Sequence, residues 1–350
     1  MKPLHGLKVL DLTRVLAGPY CTAMLAENGA DVVKIEPPSG DDYRHIGPFT
    51  KEGPSGLFEQ VNRGKRSIML DFAKHEDLQI ALSLGKEADI LVENFRPGVT
   101  AKLGIGFEAL HVINPKLIYA SISGFGQTGD MAKRPAYDII VQAMSGIMAV
   151  TGSPDGPPTL IGESIGDVTA GLFAYNAIMT ALYQRHSTGI GQHLDISMLE
   201  SMLQLQPLVA ARLRATGITP TRVGNRHALS SPFGVFEAKD ANFVLAVLND
   251  KLFKGLCDVI RQPDLFLNPL YASDPLRLCN ETTLRNAIQI WSKSVTATEA
   301  VATLVAAGIP AAEVLDALQA QALARPKAQL APAPKLDEHG AEIRKNFWIK

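Results

Sequence analysis

The sequence predicts a mixed α/β protein built on a parallel sheet. Three observations predict it. Short apolar runs alternate with helical stretches through the N-terminal half. The 350 residues are 46% hydrophobic and 20% charged, enough to bury a sizeable core. Helix punctuation, such as Pro19 in a first turn and Gly29 at a stop, falls between the apolar runs. At roughly 150 residues per domain the length suggests about two domains.

The elements follow in order. LKVLDL (7–12) reads as a buried strand, PYCTAMLAEN (19–28) as a helix and DVVKIE (31–36) as a strand closed by Pro37 and Pro38. After a polar loop come a strand at 66–72, a helix at 75–88, a strand at 89–95 and a largely helical stretch at 99–113. LIYASISGFG (117–126) is a strand entering a Gly-rich loop. The middle is helical at 137–152, 166–189 and 199–217, with a short strand at 192–198. Beyond Gly217 the character changes: a Pro/Gly/Ser linker (219–234), a hairpin (232–248) and helices at 251–260, 281–294 and 296–308. Thr296 and Glu299 have capping-box spacing at the last of these. The domain reading is therefore 1–220, then 225–325, then a Pro-rich arm at 326–350. In such sheets ligands bind at the carboxyl ends of the strands.

Composition excludes several functions. Lys plus Arg number 34 against 35 Asp plus Glu, a net charge of -1, which argues against wholesale coating of nucleic acid or anionic membrane. The first residues have no signal-peptide pattern, and no run approaches 18 apolar residues. Cys21, Cys257 and Cys279 form no CxxC pair, which suits a reducing cytosol, so a cytoplasmic enzyme is expected. Histidines are scattered, with no HExxH and no metal set. Walker A, GxGxxG and GxSxG patterns are absent.

Four segments carry possible chemistry. Asp167, in ESIGDVTAG at a predicted helix start, is either an N-cap carboxylate or a nucleophile. A helix N-terminus is expected to keep it ionised. NRGKRS (62–67), with Lys65 and Arg66, is either a solvated loop or a phosphate cradle. ENFRPG (93–98) and Lys102 offer Asn94 for hydrogen bonding, Phe95 for stacking and Arg96 for phosphate. SGFGQTGD (123–130) and RPAYD (134–138) form either an ordinary loop or a backbone that lets a ligand approach closely.

Taken in order, LKVLDLTRVLAGPYCTAMLAENGADVVKIEPP, NRGKRSIMLD, ADILVENFRPG, SISGFGQTGD, PAYD, GDVTAG and TGIGQHLDISMLES resemble the family III CoA-transferases, with AGIPAAEVLD as a further echo. That superfamily includes formyl-CoA and carnitine CoA-transferases and α-methylacyl-CoA racemases. The resemblance implies a Rossmann-like large domain, a smaller α+β domain and an interlocked homodimer. It implies acyl-CoA and a carboxylic acid as substrates, no permanently bound cofactor and no metal. It places the nucleophilic aspartate on Asp167. It places CoA contacts on Val15, Leu16, Ala17, Lys65, Arg66, Asn94, Phe95, Arg96, Lys102 and Tyr137. Arg134 stands beside Pro135, where the formyl-CoA enzymes carry a lysine. Leu16 replaces their glutamine and Pro37 an arginine, which counts against formyl or oxalate specificity. Tyr137 stands where the racemases have a histidine base, and a phenol is a poor base at pH 7, so transfer is favoured over racemisation. Succinyl-CoA with a dicarboxylic acceptor follows from family habit. In the linker, Arg226 or His227 could meet a distal carboxylate. PAPKLDEHGAEI (332–343) resembles the closing motif, but most of the several dozen residues that usually precede it are missing. A non-catalytic acyl-CoA-binding dimer is therefore a further alternative.

Overall fold

The computed structural model describes residues 1–51, 53–325 and 330–349. The chain forms two units: Met1–Ala149 with Leu160–Pro220 and Ala328–Lys350, and Val150–Thr159 with Thr221–Lys327. Residues 326–329 of the expected arm lie outside the described residues.

The first unit begins β1 (Lys8–Asp11), α1 (Ala17–Glu27), β2 (Asp31–Glu36), α2 (Gly56–Asn62), β3 (Arg66–Met69), α3 (His75–Glu87) and β4 (Ile90–Glu93). It continues α4 (Val99–Lys102), α5 (Phe107–Ile113), β5 (Ile118–Ser123), α6 (Asp138–Met144) and α7 (Ile147–Val150). It then runs through α8 (Ile165–Thr188), β6 (His193–Ser197), α9 (Met198–Gln204) and α10 (Pro207–Thr216). Six strands pair in the order β3-β2-β1-β4-β5-β6, and every pairing is parallel. This is the doubly wound order, and its switch point lies between β1 and β4.

Strand residues alternate between two cores. Val9, Val32, Ile90 and Ile118 face the layer of α1 and α8, where Leu25, Ala174 and Ile178 are buried. Leu10, Val33, Leu91 and Tyr119 face the layer of α3 and α5, with Leu84 and Leu110. Burial on both faces is why these strands read as apolar runs. α8 is long and apolar enough to cross a membrane by length and composition. Here its Ala170, Ala174, Ile178 and Ala181 are buried in the first core.

Two expected helices are each divided. The stretch 199–217 breaks into α9 and α10 at Pro207, which cannot donate a helical hydrogen bond and clashes with the preceding turn. The stretch 137–152 breaks between α6 and α7, where Gly146 has φ 82°. α2 was not anticipated. It is capped by Ser55, whose hydroxyl accepts from Phe58 N–H at 3.3 Å.

The second unit holds β7 (Phe233–Glu237), β8 (Asn242–Ala246), α11 (Asp250–Val259), α12 (Asp264–Leu267), α13 (Asp274–Cys279), α14 (Glu281–Ser292), α15 (Ala297–Ala306), β9 (Ala311–Glu313) and α16 (Ala317–Ala322). β7-β8-β9 is antiparallel and covers a core of Phe236, Phe243, Phe253, Leu284 and Leu304. The parallel sheet and the smaller α+β unit are both present.

The C-terminal segment packs on the first unit. Asp337 accepts from Met69 N–H at 2.8 Å, and His339 N–H donates to Ser67 C=O at 3.0 Å. α17 (Gly340–Asn346) and the residues after it bury Ile343 and Trp348 beside β3 and α3.

Candidate active site

The turn after β1 starts the site. Thr13 N–H and Oγ1 both donate to Asp11 Oδ1, at 2.8 and 2.5 Å. Asn94, just past β4, clamps Arg14: it accepts from Arg14 N–H at 2.9 Å and donates to Arg14 C=O at 2.8 Å. Val15 then takes φ 67°. A β-branched side chain in that region costs about 1–3 kcal/mol and persists only where its surroundings enforce it. Gly18 is required here, because the Thr13 side chain fills the space a Cβ would need.

Asp167 lies on the third residue of α8, not at the cap, which is Ser164. Gly171, one turn on, packs on the start of α1: a Cβ there would stand 2.7 Å from Ala17 O. Asp167 is thereby brought to the β1–α1 turn. Val15, Leu16, Ala17, Asn94, Phe95, Arg96, Arg134, Tyr137 and Asp167 line one cavity of about 180 Å³, with Ser123, Gly124 and Met198. Gly124 is needed because Ala136 packs where its Cβ would be, which seats the Arg134–Tyr137 segment on β5. A second cavity of about 430 Å³ lies over the ends of β1, β2 and β3, lined by Leu12, Ile35, Pro37, Pro38, Leu70 and Phe72. Arg14, Asp42 and Phe95 border both cavities.

The protonation of Asp167 corrects the expectation from helix position. Burial, with the carboxylate of Asp138 nearby, pushes it up to about 7. Asp138 was not anticipated. It accepts from Gly166 N–H at 2.7 Å and from Gln142 Nε2 at 2.7 Å. It therefore occupies a donor of the helix terminus and sets a negative charge beside the nucleophile position. The only sequence signal was its place directly after Tyr137.

Two of the expected phosphate ligands are engaged elsewhere. Lys65 is fully enclosed and donates to Asp11 Oδ2 at 2.9 Å, Asn62 Oδ1 at 2.8 Å and Pro19 C=O at 3.1 Å. Arg66 makes a two-pronged contact with Asp31, at 2.9 and 2.6 Å, and also reaches Phe347 C=O. Lys65 has no donor left for a phosphate, and Arg66, paired with Asp31, lines neither cavity, so that expectation is corrected. Lys102 ends α4, exposed and outside both cavities, while Arg96 and Arg134 are exposed at the cavity rim. Arg226 is salt-bridged to Glu281 at 2.5 Å, and His227 stacks on Phe233 at 4.6 Å, so neither stands ready for a substrate carboxylate. In the Gly-rich loop, Gln127 N–H is taken by Asp195 at 2.9 and 3.1 Å. Among the described residues no group of three His, Cys, Asp or Glu could hold a metal ion.

Comparison with known proteins gives the family. Residues 4–337 match the family model described as CoA-transferase family III. The chain is 44% identical to acetyl-CoA:oxalate CoA-transferase of Acetobacter aceti, over 99% of this chain and 96% of that one. It is 41% identical to succinyl-CoA:mesaconate CoA-transferase of Haloarcula hispanica, over 90% and 81%. A CAIB/BAIF family protein of Brucella suis has the same fold, with TM-score 0.87, 35% identity and 98% of both chains covered. The chain belongs to CoA-transferase family III.

Proposed function

We propose that the enzyme moves CoA from an acyl-CoA donor to a dicarboxylic acid through an aspartyl-CoA thioester on Asp167. One observation carries the reading: Asp167 shares a cavity with Val15–Ala17 and Asn94–Arg96, at the carboxyl ends of β1 and β4. The larger apolar cavity beside it suits the flat nucleoside end of CoA, and Arg14, Arg96 and Arg134 suit its phosphates. The Asp167 carboxylate attacks the donor thioester carbonyl. The C–S bond breaks, giving a mixed anhydride and CoA thiolate. The thiolate attacks the aspartyl carbonyl, releasing the donor acid and leaving aspartyl-CoA. The acceptor carboxylate then attacks the aspartyl carbonyl and frees the thiolate. The thiolate attacks the acceptor's acyl carbonyl and restores Asp167. Thioester energy is conserved, so no ATP is consumed. The backbone N–H groups of Leu16 and Ala17, the cap and first residue of α1, belong to residues that line the same cavity and would stabilise the tetrahedral oxyanions.

Relatives named for oxalate, mesaconate and glutarate support a dicarboxylic acceptor. They do not support the expectation against oxalate drawn from Leu16 and Pro37. Five of the relatives are named for succinyl-CoA, which supports succinyl-CoA as donor. Leu172 and Tyr183 on α8, and Leu208 and Leu213 on α10, are exposed apolar side chains that support a second copy of the chain. Three free thiols suit a cytoplasmic location.

Incubation with succinyl-CoA and hydroxylamine tests the mechanism. The peptide containing Asp167 is expected to gain a hydroxamate, and Asp167→Ala is expected to lose both adduct and transfer, by at least about 10⁴-fold. Transfer near the wild-type rate in Asp167→Ala would sink it.

A further inference from the structure

The wall of the reaction cavity opposite Asp167 is held by buried charge, not by glycine. Backbone groups of three successive residues are taken by side chains. Thr13 C=O accepts from Lys34 Nζ at 2.6 Å. Asn94 holds both polar groups of Arg14. Val15 N–H donates to Asp41 Oδ1 at 3.1 Å. Asp41 pairs with Lys34 at 2.9 Å, and the two side chains are 1% and 0% exposed. Asp41 also accepts from Tyr43 N–H at 3.0 Å, which fixes the next loop. The residue strained by this arrangement is Val15, at φ 67°. Glycine would take that backbone without help. Valine takes it only under constraint, and the constraint comes from a pair rooted in β2.

The location gives the constraint a purpose. Val15, Leu16 and Ala17 line the cavity with Asp167. Ala17 O packs against Gly171, one turn beyond Asp167. A shift of this turn moves one wall of the site relative to the other.

We propose that Lys34 and Asp41 are positioning residues for CoA transfer: they hold Val15 in the left-handed region and so fix the spacing between the β1–α1 turn and Asp167. The proposal rests on Asp167 as the nucleophile. Lys34 is fully enclosed, so it acts through the turn and not on substrate. A purely structural ion pair would change stability and leave kcat of the folded enzyme alone.

The test is a coupling measurement. Lys34→Met with Asp41→Ala removes both charges and avoids leaving one buried alone. Asp41→Asn is the milder second variant. Each is made with Val15 and in the Val15→Gly background, and kcat and KM for succinyl-CoA are measured on folded protein. With Val15 in place, the double variant is expected to lose at least about tenfold in kcat, with a smaller change in KM. In the Val15→Gly background the same change is expected to cost under about threefold, because glycine needs no clamp. Hydrogen exchange supplies a readout independent of turnover: peptides covering residues 12–18 are expected to lose protection in the double variant. Equal losses in both backgrounds, unchanged kcat or unchanged protection overturns the proposal. A wild-type enzyme that binds CoA but forms no Asp167 adduct fails the underlying mechanism instead, and the exchange result still decides the clamp.

Discussion

Two charge clusters adjoin the turn after β1, and they behave in opposite ways. Beneath the turn, Asp11, Lys34, Lys65 and Asp41 are all at or near zero exposure and are paired as Asp11–Lys65 and Lys34–Asp41. Lys65 and Lys34, with Thr13, hold Asp11 well below the usual carboxylate range despite its burial. Above the turn, burial, with Asp138 nearby, pushes Asp167 up to about 7. The arginines there, Arg14, Arg96 and Arg134, are exposed at the cavity rim. The difference separates charges that fold the protein from charges left for a ligand. A carboxylate at a strand end and one in the first turn of a helix look alike in sequence. Their neighbours in space decide which stays ionised across the pH range and which titrates near neutrality.

The largest effect expected from this contrast is on the enclosed side. Lys65→Met removes the cation in direct contact with buried Asp11, which should cost about 3–5 kcal/mol of stability. Chemical denaturation checks it. CoA affinity of whatever fraction remains folded should be near wild type, since Lys65 has no donor facing a cavity. A selective loss of CoA binding at normal stability would break the division between the two clusters. On the open side the order reverses. Arg96→Ala should weaken CoA by about 1–3 kcal/mol and leave thermal stability within about 0.5 kcal/mol. Calorimetric titration at two salt concentrations checks it, because a phosphate contact weakens as salt rises.

Much of this was legible in the sequence. The strand at 31–36 and the helix at 75–88 match β2 and α3 closely, because their punctuation and periodicity were local. Asp167, Asn94, Phe95, Arg96 and Tyr137 were placed by resemblance, and the fold brings them to one cavity. Lys65 and Arg66 were misread because their partners, Asp11 and Asp31, lie 54 and 35 residues away. NRGKRS shows cations; only the sheet shows that they are already paired. Asp138 was missed for the same reason. Its effect on Asp167 crosses from the start of α6 to the start of α8, a contact that no window of sequence contains. The strain at Val15 was equally hidden, since nothing in RVLAG marks a left-handed valine.

The smallest expected effect sharpens the comparison most, because it tests what Asp138 does to Asp167. Asp167 must be ionised to attack a thioester. With its carboxyl raised to about 7, kcat/KM should fall as pH drops below neutrality. The direction follows from linkage. A raised carboxyl binds its proton more tightly when folded, so acid fills it with a proton before an ordinary aspartate would take one. Asp138→Asn keeps an oxygen for Gly166 N–H and removes the negative charge. The acid limb should then move to lower pH by about half to one unit, equivalent to about 0.7–1.4 kcal/mol. It should not reach the ordinary aspartate range, since burial is the larger of the two causes. A control is needed because Glu93, beneath Phe95 N–H, is also raised to about 7 by burial. If the limb moves in Glu93→Gln and stays fixed in Asp138→Asn, the titrating group is Glu93. The pH dependence would then report the loop of Asn94–Arg96 and not the nucleophile. If it moves in Asp138→Asn alone, a neighbouring carboxylate tunes Asp167 in the way two lysines tune Asp11, with the sign reversed.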